Sequence, residues 1–535
     1  GFKDVSHTDK VTIEGGKELV LVGNAVNAIP EGSFGDDANK LLKDSADGGS
    51  IDVNNGTFTF GSHGGVTPTV GWILSSNIAE NGSLEAKNGE FADWTIVNNG
   101  NVHVHSNAIL HTNSLTGSGS TVNEGKLSLD EKDGNLPVFD VTGNFLNQGQ
   151  NSVLDASKVD KVTVSGTHAN EGNANYNDML IAEGGSSNNS GTEKGNMLTV
   201  EGTHANSGTS IWNGVTVADS GKGENAGKLD VGSVFDVLGE FVNKGKDAVL
   251  DATKTAVTTV AGLLRNEGTA NYDDMTVASG GKSENTGFEQ GDILTVANGG
   301  QHTNSGTSIW NNVTVQTGAT STVDVGGKET INDTYDIAGD RTNKGEVDAT
   351  KVANTQVSGS LDNQGTSNYD DMTVASGGIS NNSGFEKGDI LTIEDGGEHI
   401  NSGTSIWNNQ TIQVGGSATT EEGGKETIND KYVIAGDKTN KGEVDATKVT
   451  DTLVSGTLDN QGKSEYDDMT IQGGGTSNNS GYEKGDILTI DPDGVHDNSG
   501  TSIWNNVVVA GGDVNNTGDI ETEKLTIDDG LVNIG

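Results

Sequence analysis

The sequence predicts an all-β fold, a right-handed parallel β-helix, and three observations carry that prediction. A set of strings returns at a period of about 97 residues. Each long unit divides into about five pieces of roughly 20 residues, and each piece opens on an apolar–polar–apolar triplet. Glycine and asparagine punctuate the pieces, and helix start and stop signals are missing.

The long period is set by two strings. Ser-Gly-Thr-Ser-Ile-Trp-Asn occurs four times, placing Trp212, Trp310, Trp407 and Trp504. A Tyr-(Asp/Asn)-Asp-Met string also occurs four times, placing Tyr176, Tyr272, Tyr369 and Tyr466. Self-similarity at a fixed period marks a repeat architecture, in which each unit buries its apolar face only against its neighbours. The tandem units are 163–258, 259–355, 356–452 and 453–535, preceded by divergent coils over 51–162. Residues 1–50 are expected to be an irregular N-terminal cap, with 36–46 (DDANKLLKDSA) the one helix candidate.

The short pieces read as single coils. Alternation such as Val-x-Val is a strand with one face buried. Val260, Val277 and Val296 are expected to point inward at equivalent places. Glycine and asparagine are expected to supply positive-φ corners. Coils stacked at ~4.8 Å give roughly 25 turns and a length of about 120 Å. The Asn-x-Gly marks, at Asn206, Asn225, Asn243, Asn266, Asn285 and Asn304 among others, would then align as an amide ladder or act singly as turn residues.

Composition narrows the function. The chain carries a net charge of −46, and its arginines are Arg265 and Arg341, so a nucleic-acid partner is excluded by repulsion from phosphate. It has no cysteine, which excludes disulfides and Cys-based zinc sites. No apolar stretch is long enough to span a bilayer as a helix. No signal peptide is visible after Gly1, so an exported form is expected to be processed.

Gly/Asn/Thr-rich coils and tandem near-copies such as SNNSGFEKGDILTIEDGG and SNNSGYEKGDILTIDPDG cover about residues 120–535. In these features the chain resembles passenger domains of Gram-negative autotransporters (type V secretion), especially the self-associating adhesins. The resemblance implies a bacterial cell-surface or extracellular location. It also implies adhesion to sister copies or to glycans and proteins on host or bacterial surfaces. The family ends in an outer-membrane β-barrel, which is not found in this sequence. A surface-layer or filament component is the structural alternative, and a polysaccharide-degrading β-helix enzyme the catalytic one. No catalytic residue is assigned. The acidic residues repeat with the coils, arginine is nearly absent, and no non-repeating Asp/Glu/His cluster is evident.

The candidate binding residues are aromatic. Counting back from each closing apolar position stacks Tyr369, Lys387 and Trp407, then Tyr466, Lys484 and Trp504, as ring, ammonium, ring. With Trp212, Trp310 and Tyr272 they form an outward contact column, or else the column braces the solenoid and tryptophan fills its core. His103 and His105 share a strand face, with His111 nearby, but no carboxylate lies in the immediate string, so they read as surface histidines and no metal is assigned. His204, His302, His399 and His496 read as structural corner residues. Asp371, Asp389 and Asn409, and likewise Asp468, Asp486 and Asn506, are expected to stack, where Ca²⁺ would relieve the repulsion if the carboxylates are not simply solvated.

Overall fold

In the computed structural model, placement is described for residues 10–13, 18–22, 50–53, 57–61, 75–131 and 134–534. The chain is a parallel β-solenoid of about 24 turns with about 19 residues in each, and no helix occurs among the described residues. Two compact units divide it: Gly1–Thr258 with Gly262–Asn271, and Thr259–Ala261 with Tyr272–Gly535.

In the second unit the pairing runs coil to coil without a crossover. Asp371–Val374 pairs with Ile390–Ile393, which pairs with Asn409–Ile412, all parallel. The first unit repeats the pattern, as where Asp178–Ile181 pairs with Met197–Val200 and that with Gly214–Val217. Within the expected cap, Lys10–Ile13 and Glu18–Val22 pair in parallel with Ser50–Val53 and Thr57–Gly61, so coil pairing reaches back into that segment. The helix candidate at 36–46 lies outside the described residues.

Alternation along each strand sorts the side chains. In Thr404–Ile412 the buried residues are Ser405, Trp407, Gln410 and Ile412, with the residues between them facing out. Val260, Val277 and Val296 are all buried. A hydrophobic fraction of 31% suffices because one inner row is polar. Short strands such as Lys282–Asn285 bury a serine and an asparagine.

The inward asparagines form the ladder. In the first unit, Nδ2 of Asn123 donates to Oδ1 of Asn147, and the chain continues through Asn170, Asn189, Asn206, Asn225, Asn243 and Asn266 at 2.7–2.8 Å. Each amide also reaches a backbone carbonyl, as Asn206 does to Lys228 at 2.9 Å. The second unit has three runs: Asn285–Asn304, Asn343–Asn401 and Asn440–Asn516. Val323 and Thr420 occupy the ladder position between runs.

The corner chemistry differs from expectation. Among the described residues Asp493 is the one non-glycine with positive φ, so the asparagines are not left-handed. The glycine of Asn-x-Gly is needed for close approach instead. A Cβ on Gly403 would lie 2.1 Å from the carbonyl oxygen of Gly384 in the coil below. Positive φ is confined largely to other glycines, such as Gly377 in the Gly-Gly turns (φ 79°).

Two buried ion pairs sit beside the ladder gaps. Arg341 bonds Glu329 and Ser321, and Lys438 bonds Glu426 and Thr420. Register gives their counterparts in the first unit. Glu329 and Glu426 follow Ser308 and Ser405 as Leu229 follows Ser210. Arg341 and Lys438 correspond in the same way to Phe241. Both members of the pair change together, from apolar to ionic. Arg341→Met alone strands a buried carboxylate and should cost about 3–5 kcal/mol. Glu329→Leu with Arg341→Phe, which copies the first unit, should restore most of that loss in urea and thermal unfolding.

Candidate functional site

The Thr-Ser-Ile-Trp strand turns its serine and tryptophan inward and its isoleucine outward. Trp212, Trp310, Trp407 and Trp504 are at most 1% exposed, and Tyr272, Tyr369 and Tyr466 are 4% exposed. Of the two placements the sequence left open, the rings therefore fill the core and do not form an outward contact column. Lys387 and Lys484 do face solvent, and register explains the separation. Lys387 stands beside Asn368 and Ile406, whereas Gly388 is the residue opposite Trp407. The sequence count is off by one position, and in a strand one position reverses the face.

The glycine creates the packing. With no side chain at Gly388, Trp407 leans across that coil and stacks on Tyr369, with centroids 6.1 Å apart and planes 9° from parallel. Two coils would otherwise separate the rings by ~9.6 Å. A Cβ on Gly388 would lie 2.2 Å from Cζ3 of Trp407. The same stack joins Tyr176 to Trp212, Tyr272 to Trp310 and Tyr466 to Trp504, over Gly195, Gly291 and Gly485.

A buried polar relay completes each stack. Nε1 of Trp407 donates to Oγ of Ser405 at 2.9 Å, and Ser405 donates to Oε1 of Glu386 at 2.7 Å. Nε2 of His399 lies 3.1 Å from the same oxygen. Glu193, Glu289 and Glu483 repeat the arrangement with His204, His302 and His496 at 3.1–3.3 Å. These histidines are thus inward strand residues paired with glutamate, not corner residues. The sequence reading missed the glutamates and serines. Counting by twos from each tryptophan would have found the serine, and the glycine register the glutamate.

Electrostatics follow from burial. Desolvation alone would push the Glu483 carboxyl up, but His496, Ser502 and Trp504 hold it below the usual range. Glu193 is held low in the same way by His204 and Ser210 against its burial. Burial drives the His168 imidazole down to about 4, opposed by Glu193 and assisted by His204. His168 accepts or donates to Tyr176 Oη at 2.9 Å. Asp93, buried against Ser76, is pushed up to about 8 by desolvation.

Two acidic groups and one histidine group lie on the outside. Carboxylates of Asp370, Asp371 and Asp389 converge, as do those of Asp467, Asp468 and Asp486. They do not stack in strict register, since Asp371 is opposite Ile390 and Asp468 opposite Ile487. Asp389 and Asp486 instead accept from Asn408 and Asn505 at 2.8 Å. In the first unit, Glu85 from the preceding coil stands against His103 and His105. The carboxylate absent from the His103–His105 string is therefore supplied by a neighbouring coil, and this cluster does not repeat.

Two outcomes test the interior. Gly388→Ala should destabilise the second unit, and Trp407→Leu in the same chain should recover part of the loss by vacating the space a Cβ needs; thermal unfolding of the single and double variants reads this. For His168, the unfolded imidazole ionises near 6.5 and the folded one near 4, so the unfolded chain binds more protons in between. Wild-type stability should fall relative to His168→Gln as pH drops through that window. Asp93 has the opposite sign. Its proton is kept to about pH 8 in the fold, so Asp93→Asn should gain on wild type as pH rises from about 4 to 8.

No protein-family model and no curated protein matches the chain. Among solved structures, the chain is similar to a TibC-catalysed, hyper-glycosylated TibA fragment at 15% identity, covering 83% of this chain and 99% of that one, with a TM-score of 0.16. At that identity and TM-score the likeness carries no functional argument.

Proposed function

We propose that the chain is a non-catalytic adhesin on a bacterial cell surface, contacting sister copies or surface glycans and proteins of other cells. The observation that supports this reading is the outward row of the second unit. Thr342, Asp362, Asn381, Ile400, Thr419, Thr439, Asp459, Asn478 and Asp497 follow one another in register, each partly exposed. A row made, apart from Ile400, of hydroxyls, amides and carboxylates at strand spacing offers many similar weak contacts, which gives avidity without a deep pocket. The burial of the aromatic stacks moves the contact role from rings to these polar rows. A right-handed coil direction and a five-coil unit of about 97 residues belong to the same reading.

The surface-layer or filament reading is favoured by a different feature, the interior glutamate–histidine relays, which are buried and repeat with the tandem units. Displayed on non-aggregating cells, the chain should cause settling or attachment, and purified chain added in excess should block it. Removing two of the four tandem units should weaken attachment more than in proportion to length. Dispersed cells, together with ordered sheets or fibres of the purified chain in electron micrographs, would reject adhesion in favour of the lattice.

A further inference from the structure

The strand Asn101–Thr116 places two imidazoles on its outer face, His103 and His105, two positions apart. The preceding coil sets Glu85 directly opposite His103. One carboxylate oxygen, Oε2 of Glu85, receives both rings. Nε2 of His105 is 2.6 Å away and Nδ1 of His103 is 3.6 Å away. The two rings are stacked, with centroids 3.8 Å apart.

The far nitrogen of His103 supplies an independent observation. Its Nε2 is shut off from solvent and makes no hydrogen bond, although Oε2 of Glu124 from the next coil lies only 3.2 Å away. A neutral ring bound through Nδ1 would carry its proton on Nε2, facing Glu124. That is the carboxylate–histidine–metal arrangement, in which the outer carboxylate fixes the tautomer and orientation of the ligand.

We propose that Glu85, His103 and His105 form a binding site for a borderline divalent transition cation such as Zn²⁺, with Glu124 as the orienting carboxylate. Two nitrogens and one oxygen suit Zn²⁺, Ni²⁺ or Cu²⁺, whereas Ca²⁺ and Mg²⁺ take oxygen ligands. Zinc bonds of about 2.0–2.2 Å in a tetrahedron separate ligand atoms by roughly 3.4 Å. The 3.6 Å pair already fits, and the 2.6 Å pair needs to open by less than ~1 Å. Binding would replace the direct contact between Glu85 and His105 with two bonds to the cation. Three protein ligands leave a fourth position open, and the ligands are 21–32% exposed, so water or a donor from another molecule can fill it. His111 stands apart. Its two nitrogens are engaged by Glu90 at 2.9 Å and Asp130 at 2.6 Å.

The test titrates metal-free full-length chain with Zn²⁺ by calorimetry. One tight equivalent per chain is expected. Equal excesses of Ca²⁺ or Mg²⁺ should not compete. His103→Ala with His105→Ala, and separately Glu85→Gln, should abolish that equivalent. Glu124→Gln should weaken it about tenfold, and His111→Asn should leave it unchanged. Failure of wild type to bind a saturable equivalent overturns the site. So does an equivalent that survives the double variant at the same affinity. X-ray absorption of Zn²⁺-loaded wild type decides the matter without any variant: imidazole scattering from two rings supports the site, and its absence rejects it.

Discussion

Parallel pairing of successive coils forces every inward side chain to lie against its counterparts one turn away, and most of the interior follows from that constraint. A buried polar group has no water to satisfy it, so its partner must come from an adjacent turn or from an inward residue two positions along. The asparagine ladder meets this condition with identical residues. The Trp–Ser–Glu links meet it with different ones on adjacent turns, and each histidine adds an ion-pair contact to the same glutamate oxygen. A solenoid with a low apolar fraction is therefore stable as long as each inward polar atom stays in register with its neighbour.

The same constraint explains why substitutions in the interior come in sets. The first unit has Leu229 and Phe241 where the second has Glu329 with Arg341 and Glu426 with Lys438. A lone charge at either position would be desolvated without compensation, so only the paired exchange keeps the interior neutral. Thr420 extends the second of these networks. Its hydroxyl bonds Glu426 at 2.6 Å, and the ladder asparagine is replaced to make that bond.

The coil architecture was legible because strand alternation and tandem repetition are properties of the chain itself. The inward valines followed directly, whereas the asparagines were open between a ladder and single turn residues until coil register decided for the ladder. The aromatic site was not legible in its orientation. Deciding whether Trp407 faces in or out depends on which residue of the neighbouring coil stands opposite, and coil lengths that vary by a few residues hide that alignment. Lys387 and Gly388 differ by one position, and the difference decides between a solvent-facing ammonium and the gap that admits a ring. The Glu85–His103–His105 group escaped for a related reason, since its members come from different turns and no local string contains them all.

The two-turn reach of the Tyr–Gly–Trp stack bears on how such a chain can lengthen or shorten through genetic recombination. Loss of a single turn between Tyr369 and Trp407 would leave the indole facing a residue other than its glycine. A crossover that exchanges one tryptophan string for the next, such as Trp310 for Trp407, carries the glycine and tyrosine along and leaves the lumen packed. The buried ion pair narrows the permitted breakpoints further. Glu329 and Arg341 are separated by 12 residues, and an exchange with the first unit inside that span would join an arginine to Leu229. Length variants that survive should therefore carry junctions outside the Glu–Arg and Glu–Lys spans, so that the inherited element is the intact interior set rather than the individual coil.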